Sequence, residues 1–300
     1  MHLGLLSLVF SCALGIRLWY CCGYVGNDSV AVTAQQNPQS STPNWSRSWW
    51  LTLGCFMVPP LSLLSTLIAI LCMGSQGTMW GQSVTWVGCG VAIALLSVAS
   101  LQLVIYLVQR WRMQRFLQAC DQVLVQGQDA YLLQTPDLFA GQIGLWRSHL
   151  IVSQGLIEQL NAEQLTAVLA HEQAHQHYND PLYFFGLDCL RNLTTWLPGT
   201  QHLWQQLLLL REQRADRWAS RVVDPLLLAE TLLQVASSRP TQAIAFSTTL
   251  YDINEFDRLE ARIDSLLAVN HTTSMQLPTW RYGIFWLLIT LPLTSILFHF

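Results

Sequence analysis

The sequence contains no lysine, and only 11% of its 300 residues carry a charged side chain. All fifteen basic residues are therefore arginines. With a net charge of -3 at pH 7, the chain lacks the electrostatic pattern of a nucleic-acid-binding protein, so no direct nucleic-acid partner is expected. Hydrophobic residues make up 52% of the chain, and this share, combined with so little charge, predicts a protein held in a membrane.

The sequence also lacks any C-x-x-C pair and any regular spacing of its cysteines. The eight cysteines fall mostly within apolar stretches, as is typical of small buried side chains. This pattern predicts neither a disulfide framework nor a cysteine metal site. The cysteines are Cys12, Cys21, Cys22, Cys55, Cys72, Cys89, Cys120 and Cys189.

Four apolar segments are candidates to cross a membrane, because a spanning helix needs about 20 mostly apolar residues. They cover about residues 3–22, 49–73, 84–108 and 282–298, and the last is short and contains Pro292. The first segment could instead be a signal peptide. It has no positively charged start and carries Arg17 late in its apolar run, which favours a retained anchor.

The placement of arginines predicts the orientation. Arg110, Arg112 and Arg115 follow the third segment, and Arg281 precedes the fourth, so these ends are expected in the cytoplasm. The predicted organisation is a membrane region at 1–109, a cytoplasmic domain at 110–281 and a fourth transmembrane helix at 282–300. The polar stretch Gly26–Ser48 is predicted to be a flexible linker on the cytoplasmic side.

The stretch between the third and fourth segments has the pattern of a small sheet followed by helices. Arg110–Leu124 is predicted to continue the third membrane helix, and short strands are predicted at Ala130–Thr135, Leu138–Ala140 and His149–Ser153. Asn161 and Gln164 form a capping-box pattern that starts a helix at Ala162. Further helices are predicted over 182–197, 203–222, 225–236 and 254–269.

One part of this stretch leaves an alternative open. Leu182–Leu210 is apolar enough for a re-entrant or interfacial hairpin. Asp188 and Arg191 lie in its middle and would be costly in lipid, so a soluble or membrane-skimming position is favoured.

The most informative pattern is His-Glu-Gln-Ala-His at residues 171–175. Two histidines four positions apart on a helix project from the same side, so His171 and His175 can bind one metal ion. Glu172 can then reach the attacking water and act as general base. The pattern predicts a zinc hydrolase with one Zn²⁺ per chain.

A catalytic zinc takes three protein ligands, commonly two histidines and a glutamate. Glu212, on a later predicted helix, is expected to be that glutamate. Asp216 lies one turn further on and is expected to accept a hydrogen bond from a ligand histidine, while Asp180 is interpreted as a helix-end residue or a similar histidine partner. His177 projects to the opposite side of the helix and is interpreted as solvated.

The alternative for the two carboxylates on the later helix is an ordinary charged surface. Glu212 and Asp216 would then be solvated charges beside Arg211, Arg214 and Arg217. The combination with the zinc motif favours the metal site.

These residues resemble the BlaR/MecR-type integral membrane metallopeptidases, which are gluzincins. HtpX-type proteases are related, since they share the two histidines and an E-x-x-x-D pattern. Leu259–Leu267 resembles a helix that both groups carry. The other matching residues are His171–His175, Asn179-Asp180-Pro181, Trp196–Pro198, Glu212, Ala215-Asp216 and the stretch from Phe139-Ala140-Gly141 to Ile151-Val152-Ser153.

The resemblance implies an α+β fold. It consists of four transmembrane helices and a cytoplasmic, mainly helical gluzincin-like domain that carries a small β-sheet. The location implied is a prokaryotic inner membrane. The known antibiotic sensors carry a penicillin-binding domain after the last membrane helix, whereas this chain stops at Phe300, so sensing of β-lactams is not expected.

The function predicted is a zinc-dependent endopeptidase at the cytoplasmic membrane face, with a protein substrate such as a transcriptional repressor. One alternative is a quality-control protease of HtpX type that degrades misfolded membrane protein. Another is a non-catalytic zinc-binding receptor or scaffold, and a transporter is the weakest, because Arg17 is the only ionisable group inside the first three segments. Membrane lipid is an expected partner, and a homo-oligomer is left open.

Overall fold

The computed structural model describes residues 2–34, 45–73, 78–79, 82–83, 86–117, 120–144, 148–237, 255–267, 287 and 289–298. The chain divides into two compact units. Unit 1 contains Met1–Tyr106, Leu187–Leu207 and Thr272–Phe300, and unit 2 contains Leu107–Gly186 and Leu208–His271. This division differs from the single block 110–281 expected from the sequence, because residues 187–207 group with the N-terminal helices.

Unit 1 is built on long apolar helices. Helix α1 covers His2–Ala34, α2 covers Trp45–Met73 and α3 covers Trp86–Leu117, with the two-residue strands β1 (Thr78–Met79) and β2 (Gln82–Ser83) between the last two. Three stretches of these helices are long and apolar enough to span a membrane. They are Gly4–Cys22, Trp45–Met73 and Trp86–Gln109.

Two sequence expectations for this unit change. Helix α1 continues to Ala34, so the first part of the predicted linker Gly26–Ser48 is helical. The predicted fourth span is not confirmed: its last residues form the 3-10 helix Leu291–Phe298, and residues 282–286 and 288 lie outside the described part of the chain.

Helix α2 contains Pro59 and Pro60 in its interior. A proline has no backbone N–H, so Pro60 leaves the carbonyl oxygen of Phe56 without its helical partner. The guanidinium of Arg17, fully buried on α1, donates from Nη2 to this oxygen at 3.3 Å. The only arginine of the first apolar segment therefore supplies the hydrogen bond that the Phe56 carbonyl lacks within α2.

Unit 2 begins with a four-stranded mixed sheet. Its strands are β3 (Asp121–Val125), β4 (Gln128–Leu133), β5 (Ala140–Ile143) and β6 (His149–Ser153), in the order β3-β4-β6-β5. Strands β4 and β6 are parallel, and the other neighbours are antiparallel.

The sheet corrects the prediction that Arg110–Leu124 is all helix. Helix α3 ends at Leu117, and β3 follows it. Gln126 and Gly127 both have positive φ, 47° and 82°, which suits a two-residue hairpin turn and sends the chain back along β4. Strand β6 forms as predicted. It lies inside the sheet, and β5 is the edge strand beside it.

Among the described residues of unit 2, six α-helices follow the sheet. They are α4 (Gln154–Gln159), α5 (Ala162–His177), α6 (Asp180–Leu193), α7 (Thr200–Ala219), α8 (Pro225–Ser237) and α9 (Glu255–Leu267). The predicted capping box at the start of α5 is present: Gln164 N donates to Asn161 Oδ1 at 2.8 Å, and Asn161 N donates to Gln164 Oε1 at 3.1 Å. Asn179, with φ of 52°, separates α5 from α6.

Helix α5 is buried on two sides within unit 2. Leu165, Val168 and Leu169 pack into the core that the sheet forms with α4. Ala167 and Ala170 pack against the end of α7 and against α8 and α9, where small side chains let the helices approach closely. This double burial fixes the rotation of α5, and with it the direction of the side chains that follow in its last two turns.

Gly155, in the first turn of α4, tests how closely α4 packs against the loop at Pro136. An ideal Cβ at Gly155 would lie 2.0 Å from the carbonyl oxygen of Pro136, so Gly155→Ala should destabilise unit 2 by about 1–3 kcal/mol. Gly186→Ala is the control, because nothing lies within 4 Å of its Cβ position and alanine favours a helix by about 1 kcal/mol. In thermal unfolding, the melting temperature should fall for Gly155→Ala and rise for Gly186→Ala. Equal melting temperatures would contradict the predicted close packing.

Candidate metal centre

The two histidines and the glutamate of the His-Glu-Gln-Ala-His pattern point into unit 2, whereas Gln173 is exposed. His171, Glu172 and His175 are all buried on α5, and one potential ligand atom from each lies within 4.8 Å of the others. His171 and His175 stand one helical turn apart, with their Nε2 atoms 3.1 Å from each other. Helical periodicity thus places these groups as the sequence predicted.

Glu212 reaches the same point from α7. Its Oε2 atom lies 3.3 Å from His171 Nε2 and 3.7 Å from His175 Nε2. Two imidazole nitrogens and one carboxylate oxygen therefore form a triangle with sides of 3.1, 3.3 and 3.7 Å.

The triangle has the dimensions of three zinc ligands. Tetrahedral zinc with bonds of about 2.0–2.2 Å to nitrogen and oxygen holds neighbouring ligand atoms about 3.3–3.6 Å apart. The three sides lie close to this range, and both the donor atoms and their number suit zinc at a catalytic site. The residues present fit the metal.

The other ring nitrogen of each histidine faces a buried aspartate. His171 Nδ1 lies 2.9 Å from Asp216 Oδ1, and His175 Nδ1 lies 2.8 Å from Asp180 Oδ2. Asp180 comes back to the histidine because Asn179 adopts the left-handed conformation, which asparagine tolerates better than most residues. Each carboxylate can hold an Nδ1 proton, which leaves the Nε2 lone pair directed at the triangle.

Residues 106–250 match the model of peptidase family M48, and this match covers a little under half of the chain. Over these residues the chain is similar to M48 peptidases. No curated protein and no solved structure matches it. The match supports a metallopeptidase, and it contains both histidines, Glu172, Glu212 and both aspartates.

Three arginines surround the carboxylates of the candidate metal centre. Arg211 donates from Nε and Nη2 to Glu212 Oε1 at 2.8 and 2.6 Å, and Arg214 pairs with Asp180. Arg262 comes from α9, beyond the matched region, and donates from Nε to Asp216 Oδ2 and from Nη2 to Asp216 Oδ1, both at 2.8 Å. Its Nη1 also lies 3.4 Å from Glu212 Oε2.

The arginines and histidines keep the acidic groups ionised. Burial opposes ionisation of Glu212, but Arg211, His175 and Arg262 together hold the pKa of its carboxyl well below the ordinary value. Burial likewise opposes ionisation of Asp216, and Arg262 is the main reason that its pKa is nonetheless lowered. Both groups are thus carboxylates at neutral pH.

The histidines respond in the opposite sense. Burial disfavours the charged imidazolium, yet hydrogen bonds to Asp216 and Glu212 raise the pKa of His171. For His175 the attraction of Glu212 and the contact with Asp180 outweigh burial and raise its pKa to about 9. Protons therefore compete with a metal for these rings, and metal binding should weaken as the pH falls.

The structure brings together six residues that the sequence pattern singles out: His171, Glu172, His175, Asp180, Glu212 and Asp216. His177 lies outside this group, as expected; it is exposed and stacks on Trp218. Arg211 and Arg214, which the surface-charge alternative names as neighbours of the two carboxylates, point inwards and pair with Glu212 and Asp180. Arg262 was missed, although it falls on the same face of α9 as Leu259, Ile263 and Leu266, where a charge needs a partner.

Replacement of Arg262 tests whether the carboxylates depend on it. Arg262→Met removes the fork that binds Asp216 and leaves a buried charge unpaired, so unfolding should become easier by about 3–5 kcal/mol. Arg221→Met, at an exposed site after α7, should change stability by less than about 0.5 kcal/mol. Thermal unfolding and bound-zinc content measure both effects, and identical values for the two variants would be inconsistent with the expected role.

Proposed function

We propose that this chain is a zinc-dependent endopeptidase held in a membrane. The observation that carries the proposal is the triangle of His171 Nε2, His175 Nε2 and Glu212 Oε2, with the carboxylate of Glu172 beside it. The match to peptidase family M48 supports the same class of reaction.

In this proposal His171, His175 and Glu212 hold the zinc ion. When bound, zinc supplies Lewis acidity towards a peptide carbonyl and a neighbouring water. Asp216 and Asp180 keep the Nδ1 proton on each histidine, so that both Nε2 atoms remain free to bind.

Glu172 is proposed as the general base. It is buried one position after His171, close enough to the triangle to take a proton from the attacking water. The same carboxyl group can then pass this proton to the amine that leaves when the peptide bond breaks. Three protein ligands, rather than the four of a closed structural zinc site, favour catalysis over a receptor or scaffold.

The setting proposed is a prokaryotic inner membrane with the peptidase domain on the cytoplasmic side. Three apolar helices support the membrane, and Arg110, Arg112 and Arg115 at the end of α3 support the orientation. Two classes of substrate follow from the resemblance to BlaR/MecR-type and HtpX-type proteases. One is a transcriptional repressor, and the other is misfolded membrane protein.

Glu172→Gln tests the chemistry. The amide keeps the size of the side chain but cannot accept the proton, so cleavage of casein or self-cleavage should fall by about 10²–10⁴-fold while bound zinc is retained. Glu163→Gln, exposed in the first turn of the same helix, should behave as the wild type. Proteolysis at the wild-type rate in the Glu172 variant would remove the proposed base.

His175→Ala tests the metal site separately. It should lose both zinc and proteolysis, and a chelator should inhibit the wild type reversibly. A variant that keeps one zinc per chain, measured by elemental analysis, would exclude His175 as a ligand. Comparison of cellular proteins between wild type and Glu172→Gln would then identify the substrate as a protein that accumulates uncleaved.

A further inference from the structure

The segment Leu187–Leu207, here called the α6–α7 hairpin, consists of the end of α6, a connecting turn and the start of α7. In sequence it separates His175 from Glu212. It nevertheless groups with the helices of unit 1 and not with the peptidase residues on either side of it. Its position is therefore defined by its contacts with the apolar helices of unit 1.

The α6–α7 hairpin packs along α1 at several levels. The ring of Trp196 stacks on that of Phe10 with centroids 5.5 Å apart and planes 5° from parallel. Further along, His202 lies against Tyr20, with ring centroids 6.3 Å apart. At Gly199, φ is +72° and an added Cβ would lie 2.4 Å from Cys21 Sγ, so the backbone itself touches α1.

The level of Phe10 places Trp196 deep in the apolar span. Phe10 is six residues from the start of Gly4–Cys22 and twelve from its end, or about 9 Å and 18 Å along a helix axis. A hydrocarbon core is about 30 Å thick. Even if α1 is tilted by about 40°, Phe10 stays well inside this layer, and the stacked Trp196 must lie at nearly the same depth.

The charged residues of the hairpin are neutralised within unit 1. Asp188 and Arg191 are its only Asp, Glu, Lys or Arg residues, and Arg191 Nη2 lies 3.0 Å from Asp188 Oδ1. The hydroxyl of Tyr106 on α3 donates to the other oxygen of Asp188, and the Arg191 guanidinium lies 4.9 Å from the ring centre of Trp204. The objection that these charges are costly in lipid is thus met, because both are paired.

The polar groups at the tip also find partners inside the hairpin. Trp196 Nε1 donates to the Leu193 carbonyl at 2.9 Å, although the Trp196 side chain is 55% exposed. Thr194 Oγ1 donates to the Leu190 carbonyl at 2.6 Å, and Thr200 Oγ1 lies 2.8 Å from the Thr194 carbonyl. Internal satisfaction of this kind is required where water is absent.

We propose that the α6–α7 hairpin is a re-entrant membrane hairpin. Its tip, Thr194–Thr200, extends from Gly199, beside Cys21 near the end of the apolar span, to Trp196, which lies among lipid acyl chains at the depth of Phe10. The exposed faces of Phe10 and Trp196 are continuous with the lipid-facing surface of α1. A re-entrant position differs from the soluble or membrane-skimming position that Asp188 and Arg191 favour on the sequence alone. The proposal rests on the apolar helices being in a bilayer and does not depend on zinc or proteolysis.

Site-specific spin labels in the full chain, reconstituted into phospholipid vesicles, test the proposal. A ketone-bearing amino acid that replaces Trp196 would carry the label. A thiol-specific label is unsuitable because it would also react with the eight native cysteines. Ile93 on α3, which is 55% exposed like Trp196, is the lipid control, and Leu124 on β3, which is 71% exposed, is the control from the sheet of unit 2. Power saturation compares collisions with oxygen, which concentrates in lipid, against those with a water-soluble nickel chelate.

The label at Trp196 should be accessible to oxygen and protected from nickel, as at Ile93. Accessibility to nickel equal to that at Leu124 would overturn the proposal. If loss of the Phe10 stack prevents folding of that variant, the exposed neighbour Thr195 carries the label instead and has the same two outcomes.

Discussion

The peptidase site depends on the burial of several charges of both signs in one place. Four carboxyl groups and two imidazoles lie together on α5, the start of α6 and α7, and an unpaired carboxylate in such a position costs several kcal/mol. Arg211, Arg214 and Arg262 supply the opposite charge. A chain without lysine is suited to this task, because the planar guanidinium of Arg262 binds both oxygens of Asp216 at once.

Local signals in the sequence predicted much of the fold. Three features that depend on only a few neighbouring residues are present as predicted. They are the capping box at Asn161, the helix break at Asn179 and the start of α8 at Pro225. Strand β3 was missed because its flanking residues also suit a helix, and only its pairing with β4 decides between the two. The edge position of β5 and the grouping of residues 187–207 depend on contacts far apart in sequence, which no local pattern contains.

The candidate site shows the same division. Helical spacing alone places His171, Glu172 and His175 together, and the four-residue spacing of Glu212 and Asp216 places both on one face of α7. That Asp216 faces His171 while Asp180 faces His175 depends on how α5, α6 and α7 pack. The inward direction of the arginines was not predicted, because a sequence does not reveal which buried charge a long side chain will contact.

The position of Arg262 has a consequence for biosynthesis. A ribosome releases α5 and α7 before α9, so the buried Asp216 lacks its bidentate counter-charge until most of the chain has emerged. The two hydrogen bonds that neutralise Asp216 can therefore form only once α9 has emerged, so the last described α-helix of unit 2 completes the charge balance of the site.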